Sequence, residues 1–181
     1  LVLTAAACDR AAARPASQPA EGEAVAAVAE PASQPQEAAG IDIGFTLGDP
    51  EAPIKVVEFS DFGCPYCARF ARATLPALQQ EYIDPGTIRW RFVPVVFGFP
   101  GGQLMGSAAV CAAEQGGPEA FWQVHDVLYA RQQALRGDGV RPQLLDWLAE
   151  EGLDRAALDA CIDAPSTTAT LRAHTERARE W

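Results

Sequence analysis

The stretch that decides the fold of this chain is EFSDFGCPYCARF, residues 58–70. It carries two cysteines, Cys64 and Cys67, directly after an apolar run and at the predicted start of a helix. A sulfur at a helix N-terminus faces backbone N–H groups without intrahelical partners and the positive end of the helix dipole, which stabilise its thiolate. Residues three apart lie one helical turn from each other, close enough to form a disulfide. The spacing therefore predicts a redox-active dithiol.

The roles of the two cysteines follow from their places at the helix start. We expect Cys64, the more exposed, to be the nucleophile and Cys67, inside the helix, to resolve the mixed disulfide. Pro65 suits the first helical position, where its missing N–H group is not needed, and Tyr66 tunes the balance between dithiol and disulfide. Two alternatives are half of a zinc site and an inert structural disulfide. A zinc site needs about four ligands, and the other cysteines are isolated, so no metal is expected.

A third candidate is Glu58, which lies in the apolar run Ile54–Phe59, six residues before Cys64. Burial raises the pKa of a carboxyl group, which suits a proton shuttle for Cys67. The alternative is a solvent-facing strand residue, which period-2 alternation alone does not exclude. Asp61 is expected in a loop, where it is either solvated or capping.

Hydrophobic periodicity predicts three strands and a series of helices. The strands are predicted at Ile41–Leu47, Ile54–Phe59 and Thr87–Val96. A helix begins at the cysteines, is kinked at Pro76 and ends at residues 84–86, which gives a βαβ unit with parallel strands and a right-handed crossover. Further helices are predicted at Leu104–Gln115, from Pro118 to about Arg131, from Pro142 to Gly152, from Asp154 to Ile162, and from a cap at Ser166 or Thr167 to the end.

The N-terminal segment predicts an export signal followed by a spacer. Met105 is the only methionine, and residues 1–7 resemble the end of a signal peptide, followed by Cys8. In a bacterial lipoprotein such a cysteine carries the lipid, so Cys8 is the predicted membrane attachment; the alternative is an ordinary signal peptide cut before a chance thiol. Residues 8–40 are rich in Ala, Pro, Glu and Gln and have no aromatic residue, which predicts a disordered tether.

Composition narrows the range of partners. The 181 residues carry a formal net charge of −10, which argues against nucleic acid held by charge. No apolar run reaches the ~18–20 residues of a membrane-spanning helix. No cofactor is expected.

Four segments resemble the DsbA-like branch of the thioredoxin superfamily. They are FSDFGCPYC at 59–67, DPEAP at 49–53, AAVCAAEQ at 108–115 and FWQVHD at 121–126. The resemblance implies an α/β, thioredoxin-like fold over residues 41–181, with an inserted α-helical domain at about 104–175.

The resemblance also assigns individual residues. Glu58 matches the buried acid of the family. Some relatives have a second, structural disulfide at places similar to Cys111 and Cys161; the alternative is two buried free thiols. The residues that the resemblance assigns to the helical core rather than to catalysis are His125, Phe121 and Trp122.

The family also has a cis-proline loop opposite the cysteines, followed by the last strands and helix. None of these is found before Trp181, so the domain is expected to be C-terminally incomplete. A longer form is expected to exchange disulfides more actively.

The implied function is an exported thiol–disulfide oxidoreductase of the periplasm or cell envelope. It would exchange disulfides with envelope or secreted proteins through Cys64 and Cys67. Its expected partners are cysteine-containing protein substrates and a redox partner that reoxidises or reduces the site. The alternatives are a reductase or isomerase of the same fold, and a non-catalytic, tethered binding or chaperone module.

Overall fold

The computed structural model describes residues 43–181, so the interpretations of residues 1–42, including Cys8 and the tether, lie outside the described part. The described residues form three strands, six α-helices and two short irregular helical turns. The strands are β1 (Phe45–Leu47), β2 (Ile54–Ser60) and β3 (Ile88–Pro94). The helices are α1 (Pro65–Ala73), α2 (Leu75–Leu78), α3 (Gly102–Arg131), α4 (Arg141–Glu150), α5 (Arg155–Ile162) and α6 (Pro165–Arg179).

The sheet has the strand order β1-β3-β2. Strand β3 pairs in parallel with β2, and antiparallel with β1, so that Phe92 lies beside both Glu58 and Phe45. The parallel pairing predicted for the βαβ unit is confirmed. Because side chains alternate along a strand, Val57 and Phe59 pack with Val93 on one face, whereas Glu58 belongs to the opposite face.

Helix α1 ends abruptly within the βαβ crossover. It stops at Ala73, Thr74 interrupts the helix with φ −116°, and α2 begins at Leu75 with Pro76 in its first turn. A proline in a helix interior removes a hydrogen bond and clashes with the preceding turn. The predicted break at Pro76 is therefore confirmed, and a π-helical turn at Gln79–Ile83 completes the crossover.

Helix α3 contains both of the helices predicted on either side of residue 117. Gly117 has φ 70° and ψ −161°, which no helix interior adopts, and Pro118 begins the second half. A glycine is needed here because an L-residue with a side chain is strained at this positive φ. The two predicted helices are thus the two halves of α3, which starts at Gly102 rather than Leu104.

Several other predicted boundaries were wrong. Strand β3 is Ile88–Pro94 rather than Thr87–Val96, and α4 is Arg141–Glu150 rather than Pro142–Gly152.

The edge strand begins at Phe45 because Gly44, with φ 91°, turns the chain where a β-carbon would collide with the backbone of Phe92. The last helix begins at Pro165, with Ala164 as its N-cap residue, instead of being capped by Ser166 or Thr167. Proline at the first helical position fixes a helical φ without needing a capping side chain.

The cap predicted for α5 is confirmed. Asp154 Oδ1 accepts a hydrogen bond of 2.8 Å from the backbone N–H of Ala157. A disulfide between Cys111 and Cys161 joins α5 to the first half of α3, with 5.8 Å between the Cα atoms. Thr167 of α6 donates to the carbonyl of Cys161, at 2.8 Å, so the three helices meet at one point.

Aromatic rings fill the core between α3 and the sheet. The side chains of Phe62, Phe92, Phe121 and Tyr129 are at most 1% exposed. The ring centroids of Phe62 and Tyr129 lie 4.8 Å apart, and Phe45 stacks on Phe121 at 3.7 Å. Because Phe62 belongs to the loop before α1, this cluster anchors that loop to α3.

Candidate active site

The two cysteines of the opening motif lie at the start of α1. Cys64 is the N-cap residue, with extended backbone angles of φ −75° and ψ 122°, and Pro65 follows at the first helical position. Both Cys64 and Cys67 are free thiols. Cys64 is buried, at 8% exposed, and Cys67 is half-buried, so the expectation that Cys64 is the more exposed of the two was wrong. The first turn of α1 has backbone N–H groups without intrahelical partners, and Cys64 directly precedes them as the N-cap residue. Tyr66 points outward and is 78% exposed.

Cys67 is half-buried within α1. Burial raises the pKa of its thiol, and a hydrogen bond from the Ser60 hydroxyl opposes that rise. The neighbouring Cys64 sulfur adds to the rise. Cys67 therefore holds its proton at neutral pH, and it needs a proton acceptor before it can attack a disulfide.

Glu58 lies in β2 and is half-buried. Its Oε2 accepts a hydrogen bond of 3.0 Å from Trp90 Nε1. Burial raises the pKa of the carboxyl group, while hydrogen bonds from Ser60 and Trp90 and the charge of His125 pull it down. A carboxyl group with a raised pKa can accept or return a proton near neutral pH.

Asp61 is only 1% exposed, so the expectation of a solvated side chain was wrong. Its carboxylate accepts backbone hydrogen bonds from Gly63, at 2.8 Å, and from Phe97, at 2.6 Å. These bonds to a buried charge fix the loop before Cys64 to the loop after β3. Gly102 packs so closely on the carboxylate that a β-carbon there would collide with it. Asp61 therefore caps the turn before Cys64, and the expectation of a capping role is confirmed.

Gln132 holds the loop from the other side and was missed by the sequence analysis. It lies in the 3-10 turn after α3 and is 3% exposed. Its side-chain Nε2 donates to the carbonyl of Phe62, at 2.7 Å, and to that of Cys64, at 2.8 Å. One amide thus fixes both carbonyls that flank Gly63. A glutamine so far along the chain from Cys64 carries no sequence signal for this contact.

A buried polar pair lies beneath Cys67. Ser60 and Tyr129, each 1% exposed, have hydroxyl oxygens 2.9 Å apart. Burial raises the pKa of Tyr129, and the negative charges of Glu58, Cys67 and Asp61 raise it further. The phenol therefore stays protonated and is available as a hydrogen-bond donor.

His125 is enclosed by the aromatic cluster. It is 0% exposed, and its Nδ1 lies 2.9 Å from Asp126 Oδ1, so Nδ1 carries a proton. Nε2 has no hydrogen-bond partner among the described residues. Phe121 is equally buried, and Trp122 donates from Nε1 to the carbonyl of Thr46, at 2.9 Å. These positions agree with the expectation that His125, Phe121 and Trp122 belong to the helical core.

The surface beside the cysteines is apolar. Phe97 and Phe99, in the loop after β3, are 51% and 37% exposed. Phe99 also lines an open groove of about 600 Å³, together with Leu104 of α3 and Ile162 of α5. Within residues 43–181, no cluster of three or more His, Cys, Asp or Glu side chains is arranged to hold a metal ion. In the same part of the chain, no helix has the length and apolar character needed to cross a membrane.

Comparison with known proteins agrees with this geometry. Residues 42–181 match the model of the family described as Thioredoxin. The chain is 37% identical over 106 residues to Disulfide bond formation protein D of Bacillus subtilis. The aligned segment covers 58% of this chain and 46% of that protein. It superposes on the crystal structure of oxidised BdbD from Bacillus subtilis with a TM-score of 0.66 and 28% identity, over 75% of this chain and 74% of that one. The chain belongs to the thioredoxin family, in its DsbA-like branch.

The likeness does not extend over whole proteins. The chain spans about half the length of the curated disulfide-formation proteins it matches, with 46% and 52% covered in two Bacillus species. A segment of 91 residues is 43% identical to the Na(+)/H(+) antiporter NhaA 3 of Salinispora tropica. This segment covers 49% of this chain and 13% of that protein. The shared part is thus a domain that occurs in proteins of different size.

Proposed function

We propose that this protein is an exported thiol–disulfide oxidoreductase that introduces disulfides into envelope or secreted proteins. One observation carries the proposal: Cys64 and Cys67 are free thiols at the N-terminus of α1, and Glu58 belongs to β2, the strand that leads into their loop. The printed name of the similar Bacillus subtilis protein, Disulfide bond formation protein D, supports the oxidising direction.

The proposed reaction begins with the disulfide between Cys64 and Cys67. A substrate thiolate attacks Cys64 Sγ, which forms a bond between Cys64 and the substrate and releases Cys67 as a thiolate. Cys67 then takes a proton, for which the Glu58 carboxyl group is the source. A second substrate thiolate attacks the substrate sulfur of the mixed disulfide and releases Cys64. The substrate loses two electrons, and a redox partner later removes them from the Cys64–Cys67 dithiol.

The exposed apolar loop beside the cysteines suits an unfolded protein substrate. Phe97, Phe99 and Tyr66 expose apolar surface, which favours contact with segments of a protein chain. The disulfide between Cys111 and Cys161 fits a protein that works in an oxidising compartment.

Export and anchoring rest on the segment that precedes the domain. We propose that Cys8 carries a lipid and that residues 8–40 form a tether to the domain. Cys8→Ser should then move the protein from the membrane fraction to the soluble fraction of the envelope. Membrane retention of this variant would contradict the anchor and leave an ordinary signal peptide as the explanation.

The activity is tested with a reduced peptide that contains two cysteines. The oxidised protein should convert it to the intramolecular disulfide. Cys64→Ser should abolish exchange. Cys67→Ser, incubated with the disulfide form of the peptide, should accumulate the mixed disulfide between Cys64 and one peptide sulfur, detected by mass spectrometry, because the other peptide sulfur leaves as a thiolate and Cys67 is absent to resolve the bond. Cys8→Ser is the matched control, because it replaces a cysteine that lies outside the pair. Full activity in Cys64→Ser would contradict the proposal, and binding of the peptide without exchange in the wild-type protein would favour a non-catalytic module.

The direction of exchange has its own test. A reductase or isomerase should catalyse the reduction of insulin by dithiothreitol faster than it oxidises the peptide. The proposed oxidase should show the reverse preference at equal enzyme concentration.

A further inference from the structure

The 3-10 turn that follows α3, Gln132–Leu135, contacts both loops beside the cysteines. At the start of the turn, Gln132 Nε2 donates to the carbonyls of Phe62 and Cys64, in the cysteine loop of residues 61–64. At its end, the carbonyl of Leu135 packs on Gly101, where a β-carbon would collide with it. Gly101 is the N-cap residue of α3 and closes the loop that follows β3. The turn therefore joins the cysteine loop to the loop that carries the exposed aromatic surface.

Gln132 uses both hydrogens of its side-chain amide on the cysteine loop. An amide nitrogen carries two hydrogens, and the bonds of 2.7 Å to Phe62 and 2.8 Å to Cys64 occupy both. Both partners are carbonyls, which only accept, so the nitrogen of the amide rather than its oxygen faces them. The side chain is buried, at 3% exposed. Because the two hydrogens lie in one plane, Gln132 fixes the two carbonyls relative to each other.

The backbone of Cys64 is held at both of its polar groups. Its N–H donates to the carbonyl of Asp61, at 2.9 Å. Its carbonyl accepts from the N–H of Ala68, at 3.1 Å, as well as from Gln132, which occupies both lone pairs of that oxygen. With its peptide groups fixed, Cys64 moves its sulfur mainly by rotation about χ1. The cysteine is thus oriented before a disulfide forms.

This orientation matters in the step that closes the disulfide of the pair. When a redox partner that contains a disulfide reoxidises the dithiol, Cys64 is first held in a mixed disulfide with that partner. The Cys67 thiolate then attacks Cys64 Sγ, the Cys64–Cys67 bond forms, and the partner sulfur leaves as a thiolate. The dithiol loses two electrons in all, and the partner disulfide gains them. Such an intramolecular attack is faster when the reacting atoms are already in place.

We propose that Gln132 is a positioning residue that holds Cys64 in place for attack by Cys67. The inference rests on the proposed function of the pair. Without the amide, the cysteine loop of the dithiol form gains conformational freedom, which closure of the disulfide removes again. A substitution changes a reduction potential only when it affects the two redox forms unequally, and here the change favours the dithiol. Gln132→Leu should therefore make the pair easier to reduce and slower to close.

Two measurements with glutathione test this role. At redox equilibrium, Gln132→Leu should shift the ratio of dithiol to disulfide about tenfold towards the dithiol, which corresponds to about 30 mV. In a single turnover of the reduced protein with oxidised glutathione, the mixed disulfide at Cys64 should persist about tenfold longer than in the wild-type protein. Acid quench followed by mass spectrometry measures its lifetime.

Gln132→Glu separates the hydrogen bonds from the shape of the side chain. A protonated carboxyl group of this shape can donate one hydrogen bond, whereas the carboxylate donates none. The difference in reduction potential between Gln132→Glu and the wild-type protein should therefore shrink as the pH falls from about 8 to about 5. The other ionisable groups of the site are the same in both proteins. A constant difference would assign the effect to side-chain shape and overturn the inference.

Two control variants separate positioning from a general loss of stability. Gln133→Leu changes the exposed neighbour in the same turn and should leave the potential and the closing rate unchanged. Leu148→Ala removes a buried side chain from α4, which packs on α5, so it should destabilise the fold and still leave both quantities unchanged. An unchanged potential and closing rate in Gln132→Leu, or an equal shift in Leu148→Ala, would overturn the inference.

The failure of this inference is distinguishable from the failure of the proposed function. If the wild-type protein reduced insulin faster than it oxidised the peptide, the proposed direction would fail, yet a shifted equilibrium in Gln132→Leu would still support the positioning role. If the wild-type protein oxidised the peptide and Gln132→Leu matched it in both glutathione measurements, the proposed function would stand and the positioning role would be overturned.

Discussion

Replacement of Gln132 by leucine tests how strongly the helical region holds the active-site loop. Gln132→Leu keeps the size of the buried side chain but removes the Nε2 group that donates to the carbonyls of Phe62 and Cys64. The Cys64 carbonyl retains a hydrogen bond of 3.1 Å from the backbone N–H of Ala68. The Phe62 carbonyl instead loses the donor that the buried amide provides.

The expected loss follows from these two bonds. A typical buried hydrogen bond contributes about 1 kcal/mol, and a buried carbonyl left without a donor costs about 1–3 kcal/mol. Leucine regains part of this by burying apolar surface. We expect the free energy of unfolding to fall by about 2 kcal/mol. The backbone of the Cys64 loop should loosen at the same time.

Urea denaturation measures the free energy, and amide hydrogen exchange of residues 62–68 measures the loop. Gln133→Leu is the matched control, because Gln133 is the next residue of the same turn and is exposed. It should change the free energy of unfolding by less than about 0.5 kcal/mol. Equal effects of the two variants, or unchanged exchange in the loop, would refute the reasoning.

Three further predictions concern the site and its support. Burial raises the Glu58 pKa above its ordinary value of 4.5. The free energy of unfolding of the wild-type protein relative to Glu58→Gln should therefore be greatest below pH 4.5, and this difference should be lost as the pH rises through the raised pKa. Parallel curves of unfolding free energy against pH from pH 4 to 8 would contradict this. Gly63→Ala places a β-carbon 2.8 Å from Phe99 Cβ and from the Pro100 carbonyl, so it should lower the free energy of unfolding by about 1–3 kcal/mol; Gly137→Ala, with a nearest contact of 3.8 Å, is the control that should be tolerated. Replacing Cys111 and Cys161 together by serine opens a loop closed over a separation of 50 residues and should destabilise the domain by ~4 kcal/mol in urea; a loss below about 1 kcal/mol would argue against the chain-entropy account.

The helix boundaries that were predicted correctly depend on local sequence signals. The dithiol motif marks the N-terminus of α1, Pro118 marks the second half of α3, and Asp154 marks the cap of α5. Each of these signals acts within one turn of the residue that carries it. The start of α6 could not be read in the same way, because Pro165 makes the nearby Ser166 and Thr167 unnecessary as caps.

The supporting residues of the site depend on contacts between distant parts of the chain. Gln132 contacts a loop 68 and 70 residues away, and Tyr129 contacts Ser60 across 69 residues. Asp61 is buried because the loop that begins at Phe97 folds over it. Polar residues of these types are common on surfaces, so only the packed structure identifies them as part of the site.

The reduction potential of the Cys64–Cys67 pair tests the central claim most directly. It is measured by equilibrating the protein with glutathione mixtures and counting free thiols by mass spectrometry. An oxidase should give a potential between about −120 and −200 mV, which favours the transfer of its disulfide to substrates. A potential at or below about −270 mV would assign the pair to reduction, and a pair that never equilibrates with glutathione would contradict a redox function at this site.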